Sequence, residues 1–231
     1  MTDDELRRAV LDANLDTVRH GLVISTFGNA SGIDRNAGRI LIKPSGVAYD
    51  RLTPADMVPC DLDGRSLDNR LRPSSDLATH AVLYRAFADI GGVVHTHSTY
   101  ATIMAQSHRP VPCLGTTHAD YFHGTIPVTR DLTEDEIAQD YVGNTGTVIV
   151  ETFADLDPLA IPAVLVAGHG PFVWGRTPAE AVHNALILEQ VAKMAWHAMV
   201  LNPDPQPISQ ALLDRHFLRK HGAQATYGQD G

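Results

Sequence analysis

The chain has 231 residues, of which 44% are hydrophobic and 19% charged, which suits one domain, or two small ones, with a real core and argues against a disordered chain. A formal net charge of −9 disfavours nucleic acid and anionic membrane as partners, since both reward a positive surface. No stretch approaches the ~20 apolar residues of a membrane span, and the opening MTDDELRRAVLD, acid before base with no apolar core, is not a signal peptide, so a cytoplasmic protein is expected. Cys60 and Cys113 are too few for a disulfide framework and read as buried small hydrophobes.

Residues 2–20 read as a helix, with Leu6, Val10, Ala13 and Thr17 on one face and Asp3, Asp4 and Glu5 at its N-terminus. Strands are expected at 22–25, 30–34 and 39–43, the last two joined by a hairpin turn over 34–38. Ser75 can cap a helix through Leu77, Ala81, Tyr84 and Phe87 that ends near Gly91-Gly92. A strand at 92–96 then leads into a helix over 98–106. Thr133-Glu-Asp-Glu136 and Thr177-Pro-Ala-Glu180 match the capping box, and the second opens a long helix to about residue 200 that should bury Val182, Leu186 and Met194. Further strands are expected at 147–150, 163–167 and 172–174, and a last helix over 212–221 closed by Gly222. With no repeat, low-complexity tract or charge block, one domain over 1–231 follows, and the irregular interspersing of helices suggests a largely antiparallel sheet with helices on its faces.

His95-Thr-His97 follows the run Gly-Gly-Val-Val. On a strand, positions i and i+2 face the same way, so both imidazoles can reach one ion. His169 stands between two glycines after the apolar run 164–167, where glycine permits unusual backbone and close approach to a ligand. The alternative is a set of satisfied polar residues at strand ends. Asp76 reads equally as a fourth ligand, a proton carrier, or an acid favoured by a helix N-terminus.

Three segments can offer N–H groups and hydroxyls to an oxyanion: Phe27-Gly28-Asn29-Ala30-Ser31, Lys43-Pro44-Ser45-Gly46 and Pro73-Ser74-Ser75. Lys43 adds a point charge, and together the segments can produce the local positive field that the overall charge lacks. Each segment alone is far more often only a turn. None matches a Walker A or dinucleotide fingerprint, so no nucleotide is inferred.

These motifs together resemble the class II aldolase family along almost the whole chain. Gly115-Thr-Thr-His-Ala-Asp-Tyr-Phe122, Gly124-Thr-Ile-Pro127, and the tail Asp214-Arg-His-Phe-Leu-Arg-Lys-His-Gly222 with Tyr227-Gly228-Gln229 resemble its L-ribulose-5-phosphate 4-epimerase branch. The resemblance implies a three-layer αβα sandwich with a mainly antiparallel central sheet. It also implies a C4 homotetramer with active sites between subunits. A divalent cation, zinc with manganese, cobalt or nickel as alternatives, would be held by His95, His97 and His169, with Asp76 as ligand or acid/base.

By the same resemblance Gly28, Asn29, Lys43, Ser45, Gly46, Ser74 and Ser75 would bind a pentulose phosphate substrate. Asp120 and Tyr227 would be the proton carriers, Tyr227 reaching across from a neighbouring subunit, and His216 would help position the phosphate or the tyrosine. The implied reaction is epimerisation at C4 by retro-aldol cleavage and re-addition across C3–C4. Two other readings remain: an aldolase acting on a fuculose- or rhamnulose-type 1-phosphate, and a non-catalytic adducin-like interaction module.

Overall fold

A computed structural model describes residues 2–222 and 225–226. Six strands, β1 (Asn29–Asp34), β2 (Arg39–Ile42), β3 (Val58–Asp61), β4 (Gly92–His95), β5 (Ala163–Leu165) and β6 (Pro171–Gly175), form one sheet in the order β3-β2-β1-β4-β6-β5. Every neighbouring pair is antiparallel.

Helices cover both faces. On one side lie α1 (Asp3–Arg19) and α6 (Pro178–Leu201). Gly32 of β1 is bare because a Cβ there would press on Leu6 and Val10 of α1 and Pro178 of α6. Asn14 of α1 fixes the contact by exchanging two hydrogen bonds with the Ala30 backbone, at 3.0 and 2.8 Å. The other side carries α2 (Leu77–Ala86), on which His80 Nδ1 and the Tyr84 hydroxyl both meet Ser31 Oγ, at 2.7 and 2.8 Å. Against α2 packs α5 (Glu134–Thr152), with Gly146 close on Val82. The expected three-layer αβα sandwich is therefore present. Short α3 (Thr99–Gln106), α4 (Thr116–Ala119) and the last helix α7 (Gln210–His221) complete the chain.

Local signals account for most boundaries. Thr2 and Thr133 form full capping boxes with Glu5 and Glu136. Thr177 accepts from Glu180 N as expected, but the Glu180 carboxylate turns to Arg176 N instead of the Thr177 N–H. The α1 face of Leu6, Val10, Ala13 and Thr17 is buried, and so are both free cysteines.

Several expectations fail. Residues 147–150, read as a strand, lie inside α5, where the upstream capping box and packing on α2 override a β-branched run. Residues 22–25 are loop, because β1 is already paired on both edges by β2 and β4. The residue that precedes α2 as its N-cap is Asp76 instead of Ser75, and its side chain makes no capping bond. Met194 is 53% exposed on α6, and Leu186 is only half-buried.

Candidate metal and phosphate site

The sheet register starts the site. His95, the last residue of β4, pairs with Asn29 of β1 and Phe172 of β6, so the three side chains share the α2 face in one row. The His95 ring stacks on Phe172 with centroids 4.2 Å apart. Its Nδ1 donates to the Pro171 carbonyl at 2.9 Å. A carbonyl only accepts, so the proton sits on Nδ1 and Nε2 keeps its lone pair.

β4 ends at His95, so His97 reaches the site from the following loop and not from a strand position as the spacing suggested. That loop is tied down where α3 begins: the Glu189 carboxylate of α6 accepts from the N–H groups of Tyr100 and Ala101, at 2.9 and 3.0 Å. His169 lies in the turn between β5 and β6. Gly168 takes φ +68°, and a Cβ on Gly170 would crowd the Thr96 carbonyl, so both glycines are required by geometry.

The three imidazoles converge. His97 Nε2 lies 3.1 Å from His95 Nε2 and 3.1 Å from His169 Nε2. Nitrogens bound ~2.0–2.1 Å from one zinc ion sit about 3.0–3.4 Å apart. The residues therefore fit one cation, and bare lone pairs at this spacing repel unless a positive charge lies between them. Burial pushes His169 down to about 4 and His95 down as well, which keeps both neutral and able to ligate.

Asp76 lies beside the trio but outside the converging cluster. Its Oδ2 accepts from Asn29 Nδ2 at 2.6 Å. Burial raises its carboxyl, but His95, His80 and the Asn29 hydrogen bond outweigh this and hold it below the usual range.

A cavity of about 530 Å³ opens over these groups. Gly28, Asn29, Lys43, Ser45 and Gly46 line it, as do Ser74, Ser75, Asp76 and the three histidines. The two Ser-bearing turns are zipped together by Ser45 N–H to the Arg72 carbonyl and Ser74 N–H to the Lys43 carbonyl, both 2.9 Å. Gly28 takes φ +76° and passes so close to the His95 carbonyl that a Cβ would clash. Lys43 is 2% exposed, its ammonium 4.6 Å above the Tyr49 ring centre, and burial lowers its pKa. Asn29 Oδ1 is buried without a hydrogen-bond partner.

Asp120 and His216 are brought together from 96 residues apart, Nδ1 to Oδ1 at 3.0 Å, but neither lines the cavity. Arg219 donates to both Asp120 oxygens at 3.1 Å, and Lys220 Nζ lies 3.7 Å away. Burial raises the Asp120 carboxyl, yet the His216 and Arg219 hydrogen bonds and the Lys220 charge prevail and keep it ionised. Tyr227 lies outside the described residues.

Thr26, Tyr141 and Val142 also line the cavity and were not among the expected site residues; the last two enter from a break in α5, while Phe27, from the first expected segment, stacks over His97 with centroids 6.2 Å apart.

Buried histidines also predict a pH response. Burial pushes His80 down to about 3 and His118 down to about 4, the latter while it donates Nε2–H to the Gly124 carbonyl at 2.7 Å. Unfolded histidine titrates near ~6.5, so between that pH and the folded values the unfolded chain binds more protons. Stability therefore falls as pH drops through this window, by about 1.4 kcal/mol per pH unit for each such histidine. Urea midpoints of metal-free protein should decrease steadily from about pH 7 to 5; a constant midpoint contradicts this.

The match to known proteins agrees with this geometry. Residues 8–196 match the family described as Class II Aldolase and Adducin N-terminal domain. Curated relatives include the L-ribulose-5-phosphate 4-epimerase UlaF of Salmonella paratyphi A and that of Salmonella typhi, each 53% identical over 97% of this chain and 99% of the relative. Among solved structures, an L-fuculose 1-phosphate aldolase superposes with TM-score 0.78 at 23% identity, covering 92% of this chain and 94% of the other. YgbL from Klebsiella pneumoniae, described as a putative aldolase/epimerase/decarboxylase, gives 0.72 at 23%, covering 93% and 99%. These likenesses share the fold. The chain belongs to the class II aldolase and adducin N-terminal domain family.

Proposed function

We propose that this chain is an L-ribulose-5-phosphate 4-epimerase, interconverting L-ribulose 5-phosphate and D-xylulose 5-phosphate. The observation that carries the reading is 53% identity along 97% of the chain to relatives of that name. The convergent imidazoles and the cavity above them support it.

The C4 proton of a ketopentose is not acidic, so direct deprotonation there is a poor route. Cleaving C3–C4 and re-adding the aldehyde on its other face inverts C4 without it. His95, His97 and His169 would hold the divalent cation, zinc by its donor set, with Asp76 beside them as ligand or acid/base. A cation held there would supply Lewis-acid stabilisation of the negative charge that develops on the substrate as C3–C4 breaks. Lys43 and the Ser45, Ser74 and Ser75 hydroxyls, with the Gly28 and Gly46 turns, hold substrate and phosphate. Asn29 Oδ1, a buried acceptor without a partner, suits a sugar hydroxyl. Retention of the phosphate keeps the aldehyde fragment in place while it rotates.

Protons must leave and return at the C4 oxygen. Asp120 and Tyr227 are the proposed carriers, acting from a neighbouring copy in a C4 homotetramer, with His216 holding Asp120. The separation of Asp120 from the cavity within one chain motivates this arrangement. The test is to incubate metal-loaded protein with L-ribulose 5-phosphate. D-Xylulose 5-phosphate should form without accumulation of dihydroxyacetone and glycolaldehyde phosphate. Net cleavage instead would mark an aldolase.

A further inference from the structure

The three histidines differ in what holds the ring nitrogen turned away from their meeting point. For His95 it is the Pro171 carbonyl, which admits a single tautomer. For His169 it is a side chain: Nδ1 lies 3.1 Å from the Tyr141 hydroxyl, and the two rings are 27° from parallel with centroids 6.2 Å apart. A hydroxyl can donate or accept. Since His169 Nε2 faces His97 Nε2 at 3.1 Å, a cation between them requires Nε2 bare and the proton on Nδ1. The Tyr141 oxygen is then the acceptor.

Tyr141 reaches this position only because α5 is broken immediately before it, at Asp140, with φ −157° and ψ 76°. A break leaves backbone groups unpaired, and here side chains take them up. Asp140 Oδ1 accepts from Gly143 N–H at 3.1 Å and so caps the second half of the helix. Gly143 lacks a side chain where a Cβ would collide with the Asp140 carboxylate. Asn144 Nδ2 donates to the Glu136 carbonyl at 2.9 Å, and Thr79 Oγ1 of α2 to the Val142 carbonyl at 2.6 Å. Three side chains thus support the helix break, and the first residue after it contacts His169.

We infer that Tyr141 is a positioning residue for the metal site: its hydroxyl oxygen accepts from His169 Nδ1–H and fixes the tautomer that presents Nε2 to the cation. The inference rests on the metal site proposed above. Tyr141 is 41% exposed, so Tyr141→Phe removes one oxygen without disturbing the core and keeps the ring against His169. Cobalt(II) is titrated into metal-free wild type and Tyr141→Phe against a competing chelator, with visible absorption recorded. The variant should bind about 10- to 100-fold more weakly and show an altered cobalt absorption envelope, with the unfolding midpoint of the metal-free protein unchanged. In the zinc-loaded protein, the His169 Nδ1–H signal in nitrogen-edited NMR should be present in wild type and exchange-broadened or lost in the variant. Equal cobalt affinity and an equal spectrum in the two proteins overturn the inference while leaving the metal site standing. Failure of wild type itself to take up cobalt overturns the metal site and the inference with it.

Discussion

His97→Asn is expected to lower metal content and turnover together, with turnover falling by about 10³-fold or more, the equivalent of ~4 kcal/mol of lost Lewis-acid stabilisation. His97 supplies the nitrogen that stands 3.1 Å from both of the others, so its removal leaves only two of the three converging nitrogens. The effect should be confined to the site. His97 is exposed and sits past the end of β4, so the metal-free variant should unfold at the wild-type urea midpoint. His95→Asn makes the contrast, since His95 is 2% exposed, stacked on Phe172 and bonded to Pro171; it should lose stability as well as metal. Metal analysis and initial rates on the same samples decide the matter. Full metal retention in His97→Asn would remove that residue from the ligand set.

Asp120→Asn should reduce epimerisation by about 10²- to 10⁴-fold, the usual worth of a positioned acid–base group, and leave metal content unchanged. The carboxylate is hydrogen-bonded by His216 and Arg219 and lies beside the Lys220 ammonium, which together keep it ionised and able to take a proton. An amide keeps the shape and an acceptor oxygen but cannot carry the proton. Because Asp120 does not line the cavity of its own chain, the trio should be untouched by the change. Rates and metal per chain, measured side by side, separate the two effects. Wild-type turnover in Asp120→Asn would exclude it from the proton path.

How far the sequence discloses this depends on how local each signal is. The α1 face and the capping box at Thr133 depend on residues three or four apart, and they were legible. The run Thr-Val-Ile-Val at 147–150 has strand propensity, and only its packing on α2 decides against it. Leu22 to Ser25 looks like a strand until both edges of β1 prove to be taken. β3 was missed because Pro59 weakens its pattern, and proline is tolerated there because β3 is an edge strand.

The site divides in the same way. His95, His97 and His169 carry short-range marks, a two-residue spacing and a pair of glycines, although the strand argument for His97 was wrong in detail. The Ser-rich turns were individually weak, and only the pairing of residues 43–45 with 72–74 makes them one wall. Tyr141 carries no short-range mark of its own, although Asp140 with Gly143 three residues later is a legible cap. The meeting of Asp120 with His216, 96 residues on, has no local signature, and it was expected only through resemblance to a known family.

The most direct test of the central claim is zinc titration into metal-free protein, with conversion of L-ribulose 5-phosphate to D-xylulose 5-phosphate followed at each addition. Activity should be absent at the start, rise linearly and level off at one equivalent of zinc per chain. Full activity in the metal-free protein, or a site saturated with zinc and still inactive on this substrate, would contradict the account.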